Sequence, residues 1–152
     1  MEDIYPMPSF AQLQVADLDR ATRWYTNILG FRVIFAMPGP DGSPQLIHLR
    51  RSRYQDLLLV RSRQPREPGI PAGVGVALYF QFEDDWDALA TLAERARQTE
   101  GCVVEGPIDT PWNTREVKLL DLDGYRLVFT KGPLNPGTSM DDIVARSQGS
   151  PN

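Results

Sequence analysis

The chain has 152 residues, 41% hydrophobic and 24% charged, which suits one globular domain with its own core and is short for two. Sixteen basic residues against twenty acidic ones leave a net charge of −4, and the basic side chains are scattered, which argues against a nucleic-acid partner. No apolar run is long enough to cross a bilayer, and the single cysteine, Cys102, excludes an internal disulfide or a cysteine-rich zinc site.

Met1 to Pro6 lacks the basic and apolar blocks of a secretory signal, which gives a cytoplasmic location by default. A first strand is expected at 13–15. Asp17 then stands ready to cap a helix whose apolar positions are Leu18, Ala21, Trp24 or Tyr25, and Ile28. Gly30 fits a left-handed C-terminal cap. Strand candidates follow at 31–37, 46–49 and 57–60, with the proline- and glycine-rich turn 38–44 between the first two.

Residues 63–73 have the composition of a linker. The same grammar then returns. Leu78, Phe80 and Phe82 alternate, Asp84 and Asp85 open a second helix with Trp86, Leu89, Leu92 or Ala93, and Ala96 on one face, and Gly101 closes it. Strands are expected at 102–105, 116–120 and 126–130, the last two joined by the turn 121–124. Cys102, beside Val103 and Val104, is expected as a buried strand residue.

Each half therefore reads βαβββ, and the fold class is α+β. The expected organisation is a single domain at 1–133, made of modules at about 8–62 and 74–131 joined by the linker 63–73, followed by a C-terminal tail at 134–152. In the tail, Met140, Ile143 and Val144 make one short amphipathic turn capped by Ser139. The tail is expected to be mobile or to lie on a partner subunit.

Two such modules, with Val15 to Ala21, Trp24-Tyr25, Ile28 to Phe31, Pro111 to Glu116 and Asp121 to Gly124 in that order, resemble the vicinal oxygen chelate superfamily. That superfamily includes glyoxalase I, extradiol dioxygenases, fosfomycin resistance enzymes and bleomycin resistance proteins. The resemblance spans roughly residues 8–131 and implies a curved mixed sheet around a cavity, the glyoxalase/bleomycin resistance fold. If Ala11, Leu13 and Val15 pack on a helix, Phe10, Gln12 and Gln14 face that cavity; Ala77, Tyr79 and Gln81 do so in the second half. The resemblance places the metal-ligand positions of metal-using members on Phe10, Leu58, Ala77 and Val128. None of these has a lone pair, whereas a catalytic divalent metal needs about three N, O or S ligands. No metal and no other cofactor is expected.

The metal-free bleomycin resistance proteins resemble the chain further, in Trp112 to Glu116 and Asp84 to Leu89. Their likeness implies a homodimer that binds a hydrophobic or aromatic small molecule. Phe10, Phe35 and Tyr79 are expected to form an apolar aromatic pocket, with Gln12 and Leu58 on its walls. His48, the only histidine, reads as a hydrogen-bonded wall residue; acid–base chemistry would need a partner that Gln12 and Gln14 cannot supply. Trp112 is placed either to stack on a flat ligand or to plug the sheet edge, and both readings stand. Asn113 occupies a position where that branch usually has a small residue, which bears on groove width. Trp24, Tyr25 and Trp86 read as packing residues, and Arg115 and Arg126 as solvated or paired with Glu116 and Asp123.

The expected function is metal-free sequestration of an antibiotic or natural product, in drug resistance or self-protection, rather than catalysis. A metal-dependent lyase, isomerase or dioxygenase with misaligned ligands, a metal-free enzyme using His48, and an accessory protein of natural-product biosynthesis remain the alternatives.

Overall fold

The computed structural model describes residues 5–67 and 69–149. Two compact units meet in sequence at Ile70 and Pro71. The first holds β1 (Ala11–Val15), α1 (Leu18–Asn27), β2 (Arg32–Pro38), β3 (Pro44–Arg50) and β4 (Asp56–Arg61). The second holds β5 (Ala77–Gln81), α2 (Trp86–Arg97), β6 (Val103–Asp109), β7 (Arg115–Leu120), β8 (Arg126–Lys131) and α3 (Met140–Gln148). Each unit makes an open four-stranded sheet, in the orders β1-β4-β3-β2 and β5-β8-β7-β6. The first strand of each runs parallel to the last and the remaining neighbours are antiparallel. The chain is thus α+β, built from two βαβββ modules, as the repeat implied.

Local chemistry sets the helix starts. The Asp17 side chain accepts from Arg20 N at 2.9 Å and that of Asp85 from Ala88 N at 2.8 Å, so each caps an otherwise unpaired N–H of the first turn. In the first unit α1 buries Leu18, Ala21, Trp24 and Tyr25 against Leu13, Val15, Leu49, Leu57 and Leu59. In the second, Leu89, Leu92, Ala93 and Ala96 of α2 are buried, as are Phe80, Phe82, Leu119, Leu127 and Phe129 of the sheet and its edge. Burying each of the large side chains contributes about 2 kcal/mol. Strand alternation then sends every second residue to the other face of each sheet.

Several local expectations need correction. Strand β6 was expected to stop at residue 105, but it continues through Gly106 and Pro107 to Asp109 with an irregularity in register. It lies at the sheet edge, where a proline's missing N–H costs no ladder bond. Gly106 has φ +103°, and a Cβ there would lie 2.5 Å from the Glu116 carbonyl oxygen. Cys102 precedes β6 and is only half-buried, since the strand begins at Val103. The tail forms a nine-residue helix rather than one turn. Ser139 and Asp142 cap it reciprocally, with Asp142 N donating to Ser139 Oγ at 3.1 Å and Ser139 N to Asp142 Oδ2 at 2.9 Å. Among the described residues no helix is long and apolar enough to cross a membrane.

Candidate functional site

The face of the first sheet turned away from α1 carries a continuous row. Gln12 pairs with Leu58, Leu58 with His48, and His48 with Phe35, so one residue from each strand stands in line across the sheet. Four residues singled out in the sequence are therefore neighbours. A bulge in β2 sets this alignment: Val33 pairs with Leu49 but Phe35 with His48, two residues on one strand advancing against one on the other. The parallel row beside it is Gln14, Val60, Leu46 and Met37. A groove of about 840 Å³ runs over that row, bordered also by Gln45 and Gln64. Phe35 is 51% exposed and Phe10, one residue before β1, 48%, so apolar ring surface is left open on this unit.

Beside this row, where Arg50 pairs with Asp56, lies a polar cluster whose centre, Asp56, was not anticipated. Asp56 is buried, and its Oδ1 receives His48 Nε2 at 2.7 Å and Arg50 Nε at 2.8 Å. Tyr5 OH donates to Oδ2 at 2.8 Å, and the backbone N–H of Tyr54 donates to the Tyr5 oxygen at 2.8 Å. The Arg50 guanidinium lies 4.1 Å from the centre of the Tyr5 ring. Burial by itself would raise the Asp56 carboxyl, but the hydrogen bonds from His48, Tyr5 and Arg50 and the Arg50 charge outweigh it and hold the group below the ordinary carboxylate value. Burial raises the Tyr5 hydroxyl, the Tyr54 N–H opposes this, and Asp56 reinforces it. His48 thus has the partner that Gln12 and Gln14 could not be. The sequence signal was present: alternation puts His48 and Arg50 on one face, and Asp56 opens the next strand.

In the second unit the matching row is Tyr79, Val128, Lys118 and Glu105. Lys118 stands where the first module has His48, and Tyr79 where it has Gln12. Tyr79 is 58% exposed. The neighbouring row contains Gln81, Thr130 and Glu116. Glu116 is buried and its Oε1 receives Trp112 Nε1 at 3.2 Å, Thr114 Oγ1 at 3.3 Å and Thr130 Oγ1 at 3.4 Å. Trp112 is half exposed. Asn113, at φ +72°, is buried and its amide is bound to Asn135, Nδ2 donating to the carbonyl and Oδ1 accepting from the N–H, both at 2.9 Å. Arg115 pairs with Asp109, its register partner, at 2.5 Å, and not with Glu116, which points to the opposite face. Trp86 is partly exposed, with Arg115 and Lys131 over its ring at 5.4 and 5.1 Å.

A metal at the positions that the resemblance implies does not fit the residues present. Phe10, Leu58, Ala77 and Val128 have no donor atoms, and no group of three or more His, Cys, Asp or Glu is placed to hold an ion among the described residues. The His48 and Asp56 pair is already joined by the Arg50 cation.

A family model described as Glyoxalase/Bleomycin resistance protein/Dioxygenase superfamily matches residues 8–129. No curated protein matches the chain. Among solved structures, TnmS3, an antibiotic binding protein from Streptomyces sp. CB03234, is similar at 27% identity and a TM-score of 0.58, covering 86% of this chain and 98% of that one. A glyoxalase/bleomycin resistance protein from the same Streptomyces is similar at 28% identity and a TM-score of 0.55, over 79% and 96% of the two chains. Lactoylglutathione lyase from Agrobacterium tumefaciens is similar at 26% identity and a TM-score of 0.57, over 88% and 98%.

Proposed function

The chain belongs to the Glyoxalase/Bleomycin resistance protein/Dioxygenase superfamily, and from that premise we propose that it is a metal-free binding protein which sequesters a flat, largely apolar small molecule. An antibiotic or related natural product is the ligand class, and resistance or self-protection the purpose. The observation that carries this reading is that, in the first unit, the donor-free Phe10 and Leu58 accompany the exposed rings of Phe10 and Phe35, and in the second unit, taken by itself, the donor-free Ala77 and Val128 accompany the exposed rings of Tyr79 and Trp112. Apolar walls with a few polar anchors suit a ligand site and do not suit Lewis-acid catalysis. Similarity to an antibiotic binding protein supports the same direction. The protein works as a homodimer in the cytoplasm on this reading, in keeping with the prevalence of twofold oligomers.

Titration with a panel of planar antibiotics, followed by the fluorescence of the three tryptophans and by calorimetry, tests the proposal. Saturable binding and protection of sensitive cells are expected. Absence of both across the panel overturns it, and so does stoichiometric zinc, nickel, manganese or iron in protein purified without chelator. The latter result would favour the lyase reading that the Agrobacterium structure represents.

A further inference from the structure

We propose that His48 and Asp56 form a proton-accepting anchor on the open face of the first sheet, which takes a hydrogen bond from an acidic hydroxyl, of the phenol or enol class, on the sequestered ligand. This rests on the sequestration reading and names the chemistry of its polar contact.

The tautomer follows from the bonding. An ionised carboxylate only accepts, so with Asp56 facing the Arg50 guanidinium and the Tyr5 hydroxyl, His48 Nε2 must be the donor in its 2.7 Å contact with Oδ1. In its neutral form the imidazole then presents its lone pair at Nδ1, which has no hydrogen-bond partner among the described residues. The ring is 15% exposed, so this acceptor is reachable from the open face. Its register neighbours are Leu58 and Phe35, which makes it an isolated acceptor between apolar side chains. A carboxylate behind the ring raises the accepting strength of Nδ1, as it does for histidines in triads and metal sites.

The class of donor follows from the surroundings. A cationic amine would approach the Arg50 guanidinium, and an ionised carboxylic acid has no proton to give. A phenol or enol is neutral, has an acidic proton and is borne on the flat rings that Phe35 and Leu58 can cover. Asp56 is a positioning residue here, since it touches only the protein side of His48.

Two measurements test the proposal. The first is ¹⁵N NMR of the imidazole, unambiguous because the chain has one histidine. It should report the Nε2-protonated tautomer at neutral pH, and Asp56→Asn should weaken that preference; a predominant Nδ1-protonated tautomer overturns the proposal. The second compares hydroxypyrene with methoxypyrene, matched flat probes with and without the donor. Wild-type protein should bind hydroxypyrene roughly tenfold more tightly, and His48→Phe should bring the ratio close to one. Equal affinities in the wild type overturn the anchor and leave sequestration standing, whereas failure of both probes to bind the wild type overturns sequestration and the anchor with it.

Discussion

Trp112 Nε1 donates to Glu116 Oε1 at 3.2 Å, so an indole that is 50% exposed is moored to a carboxylate that is 1% exposed. Thr114 and Thr130 share the same oxygen, while Oε2 is buried without a hydrogen-bond partner among the described residues. Glu116→Ala should cost about 2 kcal/mol, because it strands polar groups that are partly buried, and should alter the Trp112 emission. Glu116→Gln keeps the acceptor and should cost less than half as much. Urea denaturation followed by fluorescence measures both, and an unchanged midpoint for the alanine variant would contradict the account.

Asp56 links stability to pH. Its carboxyl is held below its ordinary value in the folded protein, since the hydrogen bonds from His48, Tyr5 and Arg50 outweigh the effect of burial. The folded state therefore binds this proton less readily than the unfolded state. The resulting stability is present above the unfolded carboxyl value of about 3.9 and is lost as pH falls through the folded one. Wild-type protein should exceed Asp56→Asn in stability at neutral pH, and the gap should close below about pH 4. Denaturation midpoints across a pH series would show a constant gap if the carboxylate were not responsible.

The Cys102 thiol is pushed up to about 11 by burial, with the Asp121 charge adding to the effect, and its Sγ lies 3.2 Å from the Leu120 carbonyl oxygen. The thiolate is the reactive form, so native protein at neutral pH should react with iodoacetamide far more slowly than urea-unfolded protein. Equal rates would mean that the group is open to solvent.

The two faces of the first sheet should respond oppositely to truncation. Leu59 is fully buried under α1, and Leu59→Ala should cost about 2–5 kcal/mol. Phe35 is 51% exposed, and Phe35→Ala should change stability by only about 0.5 kcal/mol while weakening hydroxypyrene binding. Calorimetric unfolding and probe titration on both variants separate the effects. A large stability loss on removing Phe35 would show that this face is packed rather than available.

Chain order, the two βαβββ modules, the caps at Asp17 and Asp85 and the inward and outward faces of β1 and β5 could all be read from the sequence, because they depend on periodicity and on contacts within a few residues. Aligning Gln12, Leu58, His48 and Phe35 required strand register and the bulge in β2, which no local pattern announces. The same holds for pairings. Arg115 looked suited to its neighbour Glu116, but adjacent strand residues face opposite ways, and register gave it Asp109 instead. His48 seemed to lack a partner because Asp56 comes eight residues later and Tyr5 reaches that carboxylate across 51 positions. Residue types and spacing thus determined the family of fold and the absence of donors at Phe10, Leu58, Ala77 and Val128. The tertiary structure alone decided which buried charge stands behind the only histidine, since chain folding between β3 and β4 brings those groups to 2.7 Å.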